Sequence, residues 1–190
     1  MAIISICIQL DMKKEVKLQH KDFKGEVIPY QYRLLVKDIL VQLVRNSVRH
    51  GIESTEERKK QKKPVPGTIE ISTFSSDHAF GFKFIDDGKG MQISKLRDKI
   101  KSLGKWSEDE IDMWEDKKIA ESIFVAGVTT SDKVDLVSGR GVGMDLVKHK
   151  LETHKGKIHL EYKEGKYCKF TVTLPKVFKS SKSIGEEISS

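Results

Sequence analysis

Residues 79–85, Ala-Phe-Gly-Phe-Lys-Phe-Ile, alternate in the way that fits a β-strand with one buried face, and they run directly into Asp86-Asp87-Gly88-Lys89-Gly90. Two carboxylates and two glycines end the strand and, taken alone, read as a type I turn. Residues 68–74, TIEISTF, alternate likewise, so SSDH closes a hairpin between the two. This strand end constrains the chain most, because a second glycine cluster, SGRGVGMD (138–145), follows about fifty residues later.

The remaining segments supply helices for one face of such a sheet. In QYRLLVKDILVQLVRNSVRHGI, apolar residues at 35, 36, 39, 40, 43, 44 and 48 form a helical stripe, with Gly51 as its stop. EVKLQH (15–20) reads as a short strand, and a polar loop ending in KKPVPG leads to the hairpin. Residues 93–103 read as a helix, and SEDEIDMWEDKKIAESIF as another, with acidic residues suiting its N-terminus. VAGVTTSDKVDLVSGRG has no periodicity and reads as a long mobile loop. VGMDLVKHKLETH reads as a helix, and KIHLEYKEGKYCKFTVTLP as a hairpin turning at Glu164-Gly165. Together these predict an α/β two-layer sandwich: one mixed, mostly antiparallel sheet covered by helices on one face. One domain over 1–178 is expected, with 1–11 as the end of a preceding helix and 179–190 as a disordered tail.

Composition narrows the class. With 37% hydrophobic and 33% charged residues the chain reads as a soluble globular domain, and no apolar run is long enough to span a bilayer. The opening MAIISICIQL lacks a basic leader and a cleavage site, and Cys7 and Cys168 have no metal or redox spacing. A cytoplasmic protein with reduced thiols is expected. Residues 1–67 hold 14 Lys and Arg against 8 Asp and Glu, with much of the excess in RKKQKK (58–63). No aromatic residues interleave with that run, so it reads as a solvated surface, with an anionic ligand or nucleic acid as the alternatives.

Three pieces carry the chemistry. Gln42, Asn46 and His50, spaced i, i+4, i+8, form one polar line on the long helix, beside Arg45 and Arg49. Asp86 at the strand end can accept a hydrogen bond from an exocyclic amine, and Gly88 and Gly90 let backbone approach a flat ring. Gly139, Gly141 and Gly143 open a helix whose free N–H groups suit an anion. The Gly-x-Gly-x-Gly spacing with no preceding strand fails as a dinucleotide fingerprint, and no Gly-Lys-Ser/Thr marks a Walker loop.

In this order the three pieces resemble the gyrase, chaperone, histidine kinase and MutL ATPase superfamily. LVRNSVRHGIESTEERKKQKKPVPGTI, DDGKGM, IFVAGVTTSDKV and VSGRGVGMDLVK are most similar to the ATP-binding catalytic domain of chemotaxis histidine kinases of the CheA family, over about residues 12–176. The resemblance implies ATP and Mg²⁺ as cofactors, with Asn46 as the metal ligand and Asp86 accepting the adenine amino group, Gly88 and Gly90 beside it. It implies Gln42, Asn46 and His50 as the catalytic line, and Arg45, His50, Lys95 and Lys99 near the phosphates. Gly139, Arg140, Gly141, Val142 and Gly143 would wrap the triphosphate, with Met144 nearby, and Phe124 to Thr130, including Thr129, would form part of a lid.

Two positions depart from the pattern: Gln42 stands where CheA commonly has His and other superfamily ATPases Glu, and Ala126-Gly127 replaces Pro-Gly. The six histidines (20, 50, 78, 149, 154, 159) present no phosphoacceptor, so the chain is expected to be a piece of a larger kinase. Its partners by resemblance are a histidine phosphotransfer domain of the parent protein, response regulators and a CheW-like coupling protein. The alternatives are an ATPase or serine kinase of the anti-sigma type, a nucleotide-binding module that has lost catalysis and, most distantly, a nucleic-acid binder.

Overall fold

The computed structural model describes residues 14–20, 22–128 and 143–176. The expectations for 1–11, for most of the glycine-rich loop and for the tail fall outside these residues.

Five strands form one sheet in the order β1-β2-β3-β5-β4. They are β1 (Val16–Gln19), β2 (Gly67–Ser75), β3 (Ala79–Asp86), β4 (Lys157–Lys163) and β5 (Tyr167–Pro175). β1 runs parallel to β2 and every other pair is antiparallel. The register places Ile71, Phe84, Phe170 and Leu160 in one row across the sheet, and Phe82, Val172 and Ile158 in another. Because side chains alternate between faces, the same strands send Glu70, Lys83 and Lys169 to the opposite face, where Lys169 pairs with Glu161 across strands at 2.9 Å.

The apolar face is covered by two helices. α1 (Arg33–Asn46) contributes Ile39, Leu43 and Val44 to the main core, and the later helix α6 (Met144–Thr153) contributes Val147 and Leu151. Between them in the chain lie α2 (Thr55–Lys60), α3 (Ile93–Ser102), α4 (Glu108–Asp112) and α5 (Asp116–Glu121). Leu96, Ile100, Ile111, Trp114 and Ile119 bury a second, smaller core around α3 to α5. The expected two-layer sandwich, both hairpins and the helix after the glycine cluster are all present.

Three local expectations need correction. The segment 107–124 is not one helix: α4, α5 and a 3-10 turn, Ser122–Phe124, replace it, and Glu115 is extended at φ −63°, ψ 154°. In a continuous helix Trp114 and Ile119 would point about 140° apart. The break turns both into the small core, and Arg97 from α3 donates to the carbonyls of Ile111 and Trp114. Second, the polar loop contains α2, started by a capping box in which Ser54 and Glu57 satisfy each other's backbone N–H groups. Third, RKKQKK is solvated only in its middle. Arg58 at its start is 1% exposed, and Lys63 at its end is half-buried.

Candidate functional site

Gln42 and Asn46 stand on the site side of α1, one turn apart. Gln42 is 6% exposed, and its Nε2 donates to Asn46 Oδ1 at 3.0 Å. After Asn46 the helix widens into a π-turn, Ser47–Gly51, closed by Ile52 N donating to Ser47 O at 2.7 Å. Ser47 and Val48 are buried, and Ser47 Oγ reaches Asp86 on β3. His50, at the end of this turn, is half-buried. Burial first, then the charges of Lys89, Lys14 and Arg49, lower its pKa, so it is a neutral imidazole at neutral pH. Arg45 lines a groove of about 420 Å³ between α1 and α6, together with Gln42, Val41 and Val147.

Asp86 is the buried acid of the site, 2% exposed. Its Oδ2 accepts from Ser47 Oγ at 2.6 Å and its Oδ1 from Gly88 N at 3.1 Å. Burial outweighs these two bonds and raises its pKa to about 6. Cys168 faces it across the β3–β5 register, and burial followed by the Asp86 charge pushes that thiol up. Both glycines of the turn are needed by the chain itself. A Cβ on Gly88 would lie 2.3 Å from Gly51 O, and Gly90, at φ +64°, has Lys163 O 2.2 Å from where its Cβ would be. The turn is thereby laced to both neighbours: Lys89 N donates to Gly51 O at 2.9 Å, and Gly165 N donates to Lys89 O at 2.7 Å. At both residues the space a Cβ would fill is taken by protein backbone.

Several contributors carried no sequence signal of their own. Ser47 holds Asp86; Glu53, Arg58 and Lys63 fasten the Asp87-Gly88 turn from outside. Only the Ser54 to Glu57 capping pattern, which orders the segment carrying them, was readable in advance. Lys89 is half-buried, and burial, then Lys14 and Lys95, lower its pKa, which marks a concentration of positive charge beside His50. On α3, Lys95 is exposed and donates to Gln92 Oε1 at 3.3 Å, and Lys99 lies one turn on. Gly143 is the extended N-cap of α6 and Met144 its first, buried residue. Thr129, Gly139, Arg140, Gly141 and Val142 lie outside the described residues.

A desolvated carboxylate beside glycine backbone suits an exocyclic amine, and a rim of cations suits a polyanion. Among the described residues no group of three or more His, Cys, Asp and Glu could hold a metal ion. The Asn46 carboxamide oxygen is nonetheless a hard donor, which fits Mg²⁺ held mainly by phosphate and water oxygens.

This sheet, its single helical layer and a buried strand-end carboxylate facing an Asn-bearing helix define a nucleotide-binding α/β sandwich. The chain belongs to the family described as histidine kinase-, DNA gyrase B-, and HSP90-like ATPase, which matches residues 32–177. It is 38% identical over 140 residues to the chemotaxis protein CheA of Bacillus subtilis, covering 74% of this chain and 21% of that protein. It is 38% identical over 130 residues to the sensor histidine kinase CheAY of Helicobacter pylori, covering 68% of this chain and 16% of that protein. With CheA of Borreliella burgdorferi it shares 36% over 165 residues, 86% of this chain and 19% of that protein. The chain thus spans about a fifth of the length of these relatives.

Proposed function

We propose that this chain is the ATP-binding catalytic domain of a CheA-like histidine kinase, which transfers the γ-phosphoryl group of ATP to a histidine on a separate phosphotransfer domain. The observation that carries this reading is Asp86: a carboxylate buried at a strand end and held by Ser47 and Gly88 N, with acceptor capacity left over for an adenine amino group. Asn46 would hold Mg²⁺, which neutralises phosphate charge when bound. Lys95, Lys99, His50 and Arg45 would face the phosphates, and Gly139 to Gly143 with Thr129 and Met144 would enclose them. The acceptor imidazole attacks the γ-phosphorus; a nitrogen–phosphorus bond forms, the bond to the β,γ-bridging oxygen breaks, and ADP leaves. A neutral imidazole is already a nucleophile, so Gln42, which cannot take a proton at neutral pH, is compatible with transfer. The names of the relatives support chemotaxis-type signalling, and a cytoplasmic location, response regulators and a CheW-like coupling protein belong to the same proposal.

The test has two arms. Calorimetry with ADP and Mg²⁺ should give one site per chain, lost in Asp86→Ala; equal binding by that variant would refute the pocket. Labelled ATP should leave the chain alone unlabelled and yield acid-labile phosphohistidine once the parent's phosphotransfer domain is added. Acid-labile label on the chain by itself would refute the division of labour.

A further inference from the structure

We propose that Arg58, with Glu53 and Lys63, is the positioning group for the base-recognising carboxylate, so that the basic stretch after α1 sets how strictly the site selects its base. The inference rests on the reading of Asp86 as the acceptor of the adenine amino group. Base selection by one carboxylate requires its unused lone pairs to be held within a fraction of an ångström. Asp86 is fixed in part by Gly88 N, which belongs to the turn that follows it. That turn is gripped from the other side. Arg58 Nη2 donates to Asp87 Oδ2 at 2.8 Å and Nη1 to Asp87 O at 3.2 Å, while Thr68 N donates to Asp87 Oδ1 at 2.8 Å. Lys63 Nζ donates to Gly88 O at 2.7 Å. Two successive carbonyls of the turn and its second carboxylate are thus tied to side chains from one short excursion.

The excursion is registered against itself. Glu53, itself buried, accepts from Arg58 Nη1 at 3.2 Å and from Lys63 Nζ at 2.8 Å, and Arg58 Nε donates to Pro64 O at 2.7 Å. Arg58 is 1% exposed, so every donor of its fork that meets protein does so away from water. Buried ion networks of this kind add little to stability over apolar side chains of equal volume, because desolvation offsets the attraction. What apolar side chains could not supply is the direction of the Asp87 and Gly88 carbonyls. Lys59, Lys60 and Lys62, from the same charge run, are exposed.

Calorimetry with ADP and with GDP, each with Mg²⁺, tests this on four proteins: the unaltered chain, Lys59→Ala, Arg58→Lys and the pair Glu53→Gln with Arg58→Met. The pair removes the two most buried charges together, so neither faces the other's vacancy, while Asp87 and Lys63, which reach water more readily, each lose one ion-pair partner. ADP affinity should fall about tenfold in the pair, the size expected when one buried recognition bond is misaligned. Its preference for ADP over GDP should shrink, Arg58→Lys should be intermediate, and Lys59→Ala should match the unaltered chain. A merely structural role would lower the fraction of chains that bind and leave affinity and preference as they were; that result overturns the proposal. If the pair does not fold, Lys63→Met, which loses the Gly88 and Glu53 contacts but keeps Arg58 on both Glu53 and Asp87, should show a smaller loss in the same direction, and unchanged affinity and preference there would overturn it equally. An unaltered chain that binds no ADP would refute the base-recognition reading and this inference with it.

Discussion

At Asp86 burial wins over two hydrogen bonds, so the folded chain holds this proton up to about pH 6, against 3.8 for the free group. Between those values the folded state binds more protons than the unfolded one. The contribution of Asp86 to stability therefore falls as pH rises through that window and stays low above it. Asp86→Asn can keep both partners, accepting from Gly88 N and donating to Ser47 Oγ. It should be more stable than the unaltered chain at pH 8 by on the order of 1–3 kcal/mol, with the difference vanishing near pH 4. Urea unfolding at several pH values measures this, and no gain at pH 8 would show that the buried charge is better compensated than its surroundings indicate. The same variant should bind no ADP, so function here opposes stability. Gln42 poses the complementary case, a buried amide bonded to Asn46 where a base would serve hydrolysis. Gln42→Glu should raise ATP hydrolysis at least about tenfold by supplying a proton acceptor, with ADP affinity little changed. Phosphate release would follow it, and equal rates would remove the base argument.

The site-bearing turn shows what its neighbours demand of each element. Gly90 and Gly104 both adopt left-handed backbone, at φ +64° and +63°, yet only Gly90 has backbone within 2.2 Å of its missing Cβ, while Gly104 has nothing within 4 Å. Gly104→Ala should cost about 1 kcal/mol and Gly90→Ala clearly more, because the β4–β5 turn must also shift. Chemical unfolding of both variants decides it; equal costs would mean the turn yields freely. This contrast also marks where sequence reading stops. Strand alternation exposed both hairpins, the apolar stripe exposed α1, and the spacing of Asn46, Asp86 and the glycines pointed to the site. α2 was hidden because six mostly charged residues have no period, although Ser54 and Glu57 announced its start. The break before α5 was hidden because Arg97, from α3, donates to the carbonyls of Ile111 and Trp114 beside it. Arg58 read as solvated because its burial depends on Asp87, 29 residues on, arriving from a separate segment. Ser47 was missed because it is a lone polar residue in line with the apolar stripe of α1, and the carboxylate it meets arrives from a strand 39 residues on.

Among the described residues the buried apolar side chains form two clusters of unequal size. The sheet, α1 and α6 share the large one, and α3 to α5 close over the small one, with Met91 and Ile123 packed against both. A cluster of six buried residues, Leu96, Ile100, Ile111, Trp114, Ile119 and Val128, joined to the rest by so few apolar contacts has the makings of a unit that opens by itself. The proposed phosphate-facing lysines, Lys95 and Lys99, stand on α3, so ligand binding and this opening should be linked: a nucleotide that binds only the closed form stabilises it by mass action. Native-state hydrogen exchange should find the amides of α3 to α5 opening together at lower free energy than those of β3 and β5. Ile111→Ala should cost about 2–4 kcal/mol, paid mainly in the smaller unit, so that exchange accelerates there while the central strands barely change. Saturating ADP with Mg²⁺ should slow exchange in α3 in the unaltered chain. If Ile111→Ala accelerates β3 and β5 as much as α3, the two clusters unfold as one, and the small core is a cooperative part of the sheet domain.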